Sequence, residues 1–116
     1  MGKITTHILD TAHGRPAGGI PIELYHMDSP DLLLAAYSSN PDGRTGRPLL
    51  ENDALHIGTY ELVFHVADYF AHAGLVVTEP PFLDHIAIRF TVADPAAHYH
   101  VPLLVSPWSY STYRGS

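Results

Sequence analysis

The sequence predicts an all-β protein, a sandwich of two sheets with one short helix. Three observations carry that expectation. Apolar residues recur at every second position in several short stretches, Gly- and Pro-rich segments separate those stretches, and only one segment reads as helical. At 116 residues with 46 % hydrophobic content, the chain is expected to form a single domain over 1–116 with a core of its own.

Lys3 to Asp10 alternates, with Ile4, Thr6 and Ile8 on one face and Thr5, His7 and Leu9 on the other, and a turn rich in Gly and Pro follows. Ile20, Ile22 and Leu24 alternate with Pro21, Glu23 and Tyr25, and Pro21 marks this second strand as edge or irregular. Leu32 to Ser39 is a short apolar run that suits a buried strand, or a helical turn. Asn40-Pro41-Asp42-Gly43 signals a tight turn, because proline presets its own φ and glycine accepts a positive one, and Arg44 emerges from it.

Gly58 to Val66 is the clearest strand, with Tyr60, Leu62, Phe64 and Val66 on one face, and it is expected to be central. Ala67 to Gly74 reads as the short helix, with Asp68 near its start and Gly74 where a C-terminal cap belongs. Asp84 to Val92 alternates with Ile86, Ile88, Phe90 and Val92 inward. His98 to Pro107 closes the set, with Tyr99, Val101, Leu103 and Val105 inward and His98, His100 and Ser106 on the opposite face. Composition alone makes the remaining tail, Tyr110 to Ser116, a solvated end with aromatic anchors, or else a segment docked on a partner subunit or on something polar and anionic.

The totals exclude several function classes. With no cysteine, thiol catalysis, thiolate zinc sites and disulfides are absent, and the chain suits a reducing compartment. A formal net charge of -6 without a basic cluster argues against nucleic acid and anionic membranes as partners. No apolar leader or bilayer-length run is present, so a cytoplasmic protein is expected. Nine histidines are the unusual count, since imidazole can act as base, acid or metal ligand near neutral pH.

Among these, His98 and His100 have the i, i+2 spacing of one strand face. A zinc site would need a third ligand, and no carboxylate lies nearby in sequence, so a surface pair without metal is the commoner outcome. His7 is either a satisfied or exposed histidine or one presented at a site. Arg44 and Arg47 follow a rigid turn and could clamp a planar, carbonyl-rich ligand or pair with a surface carboxylate. His13, His26, His56, His72 and His85 receive no role. There is no nucleophile motif, no phosphate-cradling glycine loop and no His-Glu-x-x-His, so what remains is equipment for activating a water and polarising a carbonyl.

Several stretches together resemble one family. Thr6-His7-Ile8-Leu9-Asp10 followed by Gly14-Arg15-Pro16-Ala17, then Asp42-Gly43-Arg44, His98 to Ser106 and the terminal Tyr113-Arg114-Gly115-Ser116 are similar to the 5-hydroxyisourate hydrolases, the transthyretin-related enzymes. Gly58-Thr59-Tyr60 and Asp68-Tyr69-Phe70 match as well, whereas Val105 and Trp108 depart from the pattern at packing or rim positions. The resemblance implies a transthyretin-like sandwich and a homotetramer with active sites between subunits.

It also implies catalytic roles for His7, Arg44, His100 and Ser116, with Tyr113 joining His7 and Arg44 in substrate binding. The implied reaction opens the ring of 5-hydroxyisourate at the N1–C6 amide without metal or cofactor, giving 2-oxo-4-hydroxy-4-carboxy-5-ureidoimidazoline. The alternatives are a transthyretin-like carrier of a hydrophobic ligand, for which apolar residues would be expected at positions 7, 44 and 100, and a histidine-rich zinc protein.

Overall fold

The computed structural model describes residues 2–75 and 78–115. Strand β1 (Lys3–Asp10) buries Ile4, Thr6, Ile8 and Asp10 and leaves Lys3, Thr5, His7 and Leu9 half-buried on its other face, the alternation expected of a strand with one face in the core. Strand β2 (Arg15–Pro16) returns against its end, and β3 (Pro21–His26) pairs with β4 (Leu33–Ser38). After the two-residue β5 (Leu50–Glu51) and a 3₁₀ turn over Asn52–Ala54 come β6 (Gly58–His65) and helix α1 (Ala67–His72). The chain ends with β7 (His85–Val92), β8 (His98–Val105) and β9 (Tyr110–Thr112).

Two sheets result. One has the order β4-β3-β6-β7, and β6 is an interior strand as its sequence implies. The other has the order β2-β1-β8-β9, with β5 also on β1. In it β1 and β8 run parallel over their full lengths, from Lys3 opposite His98 to Asp10 opposite Val105. The sheets enclose Ile4, Ile8, Val101, Leu103 and Val105 from one side and Ile22, Leu24, Leu62, Phe64, Ile86 and Ile88 from the other, each at most 6 % exposed. With no cysteine in the chain, this all-β sandwich is held by packing and hydrogen bonds without a disulfide. Among the described residues no helix is long and apolar enough to cross a membrane.

Two sequence expectations are corrected. Of the two readings of Pro21 the edge fails, because β3 lies between β4 and β6, whereas the irregular strand stands, because the register with β4 shifts between Leu24 and Tyr25; Pro21 is tolerated because it opens the strand, before the ladder to β6 begins at Ile22. Leu32 to Ser39 is not a buried strand either. As the outermost strand of its sheet, β4 leaves Leu33, Ala36 and Ser38 exposed.

Polar groups on the core face are individually satisfied. Thr6 Oγ1 donates to the Val101 carbonyl at 2.7 Å, so its hydroxyl adds to the β1–β8 pairing. Asp10 is fully buried and gathers three neighbours: one oxygen accepts from the Ala12 and His13 backbone amides at 2.9 and 3.0 Å, and the other contacts His13 Nδ1 at 2.7 Å and accepts from the Tyr69 hydroxyl at 2.8 Å. This cluster ties α1 to the end of β1 and gives His13 a structural contact that its place in a turn did not suggest.

Burial by itself raises the Asp10 carboxyl, but the hydrogen bonds from Tyr69 and His13 outweigh it and hold the group below its ordinary value. A lowered folded value means that ionised Asp10 stabilises the fold above about pH 4, and that this contribution is lost as pH falls through the lowered value. Asp10→Asn should therefore lower stability at pH 7 and flatten its decline below about pH 4. Urea titrations at stepped pH check this, and parallel acid limbs for the two proteins would refute it.

Candidate active site

The parallel register of β1 and β8 builds the site on the outward face of the sheet. Lys3, Thr5 and His7 stand opposite His98, His100 and Pro102. Paired residues of neighbouring strands project to the same side, so two histidines from one strand flank the hydroxyl of the other. Thr5 Oγ1 lies 2.6 Å from His98 Nε2 and 2.8 Å from His100 Nδ1. His7 follows two residues along β1.

The turn after β4 brings Arg44 to this face. Asn40 Oδ1 accepts from the Asp42 and Arg44 amides at 2.9 and 3.1 Å, while the Gly43 amide donates to the Asn40 carbonyl at 2.8 Å. The turn is fastened to β1 by the Ile8 amide donating to the Gly43 carbonyl at 2.9 Å. Gly43 has φ +76°, and a Cβ there would fall 2.4 Å from the Ile8 carbonyl oxygen, so only glycine permits this approach. Lys3, Thr5, Arg44 and Arg47 line the resulting open groove of about 280 Å³, a basic wall in a chain of net negative charge.

The tail is ordered along the edge of β8, although residues 110–114 remain exposed. β9 pairs antiparallel with β8, the Thr112 hydroxyl donates to the Pro102 carbonyl at 2.7 Å, and the Gly115 amide donates to the His100 carbonyl at 2.7 Å. Arg114 lays its guanidinium 4.2 Å from the centre of the Tyr99 ring and donates to the His98 carbonyl at 3.3 Å. The sequence showed the residues of this segment but not the free edge of β8 that receives them. Tyr113 is 59 % exposed and lines a different cleft, with Phe90 and Tyr99 at the edge of the sandwich. Ser116 lies outside the described residues.

Electrostatics favour neutral imidazoles. Burial, then the Arg44 charge, holds His7 below the ordinary histidine value, against an opposing pull from Asp42. Burial, then Arg44, His98 and His7, does the same to His100, and burial with Lys3 and Arg114 lowers His98. Neutral imidazoles beside a guanidinium can accept a proton from water while a cation binds carbonyl oxygens. Among the described residues no group of three or more metal-ligating side chains could hold a metal ion.

The structure thus brings His7, Arg44 and His100 to one face and adds two residues to which the sequence assigned no role. Thr5 was visible on the His7 face, but its contact with His100 spans 95 positions and needs the strand register. Gly115 passes so close to His100 that a Cβ would sit 2.6 Å from His100 Cδ2. Gly115→Ala should therefore displace the tail or the His100 ring, loosening residues 110–115 to proteolysis while leaving the thermal transition within a few degrees. An unchanged digestion pattern and an unshifted His100 NMR signal would count against that close contact.

Comparison with known proteins places the chain by sequence and by fold. The HIUase/Transthyretin family model matches residues 4–115. A protein of Rhizobium meliloti (strain 1021) named 5-hydroxyisourate hydrolase 2 is 52 % identical over 116 residues, covering 99 % of this chain and 97 % of the relative. The structure of Klebsiella pneumoniae 5-hydroxyisourate hydrolase matches with a TM-score of 0.82 at 32 % identity, over 100 % of both chains. A crystal structure of (S)-allantoin synthase matches with a TM-score of 0.93 at 45 % identity over 99 % of this chain, which spans only 44 % of that longer protein. The chain belongs to the HIUase/Transthyretin family.

Proposed function

We propose that the chain, as a single domain over 1–116, hydrolyses 5-hydroxyisourate at the N1–C6 amide to 2-oxo-4-hydroxy-4-carboxy-5-ureidoimidazoline. The observation that carries this reading is the face on which His7, His100 and Thr5 stand beside Arg44, together with the 52 % identity to a relative bearing the hydrolase name. In the first step a neutral imidazole of the pair His7 and His100 removes a proton as water attacks C6. Arg44 donates to the substrate oxygens, where negative charge develops in the tetrahedral transition state. The second imidazole or Ser116 then protonates the departing N1. No cofactor takes part in this scheme.

Assembly enters the same reading. The face is open in one chain, and Tyr113 lines a cleft away from the Arg44 groove. In a homotetramer with active sites between subunits, a neighbouring copy would close the groove, and Tyr113 would meet substrate from across that interface. A chain without cysteine is indifferent to a reducing milieu, which suits the cytoplasm.

The first test follows the ultraviolet decay of freshly generated 5-hydroxyisourate with metal-free protein. Wild type should accelerate it over the spontaneous rate, whereas His100→Asn and Arg44→Ala should each lose about 100-fold or more in kcat/KM while staying folded. No acceleration by wild type would overturn the enzyme reading in favour of a ligand carrier on the same sandwich.

The pH dependence gives an independent check. Because His7 and His100 are held below the ordinary value, the base stays neutral and the rate persists to pH values below about 6.5, falling only as pH drops through the lowered value. Arg44→Gln removes a charge that depresses both histidines and should move the residual acid limb to higher pH. A limb that stays put or moves down would contradict the coupling.

A further inference from the structure

Thr5 has one hydroxyl proton and two imidazole nitrogens in reach, at 2.6 Å and 2.8 Å. It makes no other side-chain hydrogen bond among the described residues, so the proton goes to one of the two rings and the oxygen accepts from the other. The arrangement is fixed by backbone: Thr5 and His100 are register partners in the parallel ladder, and the Gly115 amide holds the His100 carbonyl. Resting on the hydrolase reading above, we infer that Thr5 is a positioning residue that sets the His100 tautomer and relays a proton between His100 and His98.

In the resting state the Thr5 hydroxyl donates to His98 Nε2 and accepts from His100 Nδ1–H. His98 then carries its proton on Nδ1, and His100 Nε2 is left with a free lone pair. As the water oxygen bonds to C6, its proton moves to His100 Nε2. His100 passes its Nδ1 proton to Thr5 Oγ1 while the Thr5 proton moves to His98 Nε2, so the positive charge leaves the ring beside Arg44 and rests on His98. When the C6–N1 bond breaks, His100 Nε2–H protonates N1, and His98 returns its Nε2 proton through Thr5 to His100 Nδ1. Water has been added across one C–N bond and every protein proton is back in place.

The surroundings suit this traffic. Arg44 and His7 bear on His100, whereas Lys3 and Arg114 bear on His98, so neither ring is a comfortable resting place for a cation. Shuttling the proton between the rings keeps it available for return. His98, to which the resemblance assigns no catalytic role, thereby acquires a defined task.

Thr5→Val keeps the branched shape and removes the donor and acceptor, and Thr5→Ser restores both. In Thr5→Val, kcat should fall about 10- to 100-fold with KM within about twofold, and Thr5→Ser should recover most of the loss. His98→Leu should fall by a similar factor, and the Thr5→Val/His98→Leu double variant should be no worse than either single one. Nitrogen-15 NMR of the imidazoles supplies a readout independent of turnover: His100 should be protonated at Nδ1 in wild type and shift towards the Nε2–H form in Thr5→Val.

An unchanged His100 tautomer in Thr5→Val, a kcat within twofold of wild type, or additive losses in the double variant would each overturn the relay while leaving the hydrolase reading intact. A wild type that shows the tautomer coupling but does not accelerate 5-hydroxyisourate decay would overturn the hydrolase reading and the relay's catalytic role with it.

Discussion

The parallel pairing of the first long strand with the last is the constraint on which the rest of the structure depends. It sets Ile4 and Ile8 beside Tyr99 and Leu103 on the core face, and by the same register it sets Thr5 beside His100 on the other. Because side chains alternate, a slip of one residue would turn the histidines inward and the core residues outward. The apolar face thus enforces the polar one, and hydrophobic burial fixes the geometry of groups that contribute nothing to it. Joining segments about 95 positions apart carries a loop-closure cost, and such non-local ladders fold slowly.

Two clamps complete the site, and both are made of backbone. The 40–44 turn is bonded to β1 at Ile8, and the tail is bonded to β8 at His100, so Arg44 and Gly115 reach the histidines from opposite edges of the strand pair. Backbone amides and carbonyls have few alternative positions once their strands are formed, which is why groups held this way stay in place without a metal or disulfide. Glycine stands at the closest approach of each clamp, where any side chain would collide with the Ile8 carbonyl or the His100 ring.

Most of the fold was legible because one face of every long strand is apolar. The alternation in Lys3–Asp10, Gly58–Val66 and His98–Val105 leads directly to the buried residues. What alternation does not contain is which strand neighbours which. The edge reading of Pro21 therefore failed while the irregular one stood, the buried position offered for Leu32 to Ser39 proved to be an exposed edge strand, and neither reading of the tail contained its pairing along the free edge of β8. The site divides in the same way. His7, Arg44 and His100 were reached through the family motifs, whereas Thr5 and His13 matter through contacts, with His100 and with Asp10, that only the folded chain reveals.

The polarity of the β1–β8 face also limits what can bind there. Lys3, Thr5, His7, His98 and His100 line up on it, and Arg44 and Arg47 line a groove with Lys3 and Thr5. Covering such a face with an apolar ligand would leave several donors and acceptors without partners, at about 1–3 kcal/mol for each group fully removed from water. A small ring rich in carbonyl and amide groups avoids that loss, because each donor on the wall meets an acceptor. The sandwich by itself is indifferent to the choice between carrier and hydrolase; the polarity of one outward face is what sets the two apart physically, and on the proposed reading it suits a polar, planar substrate.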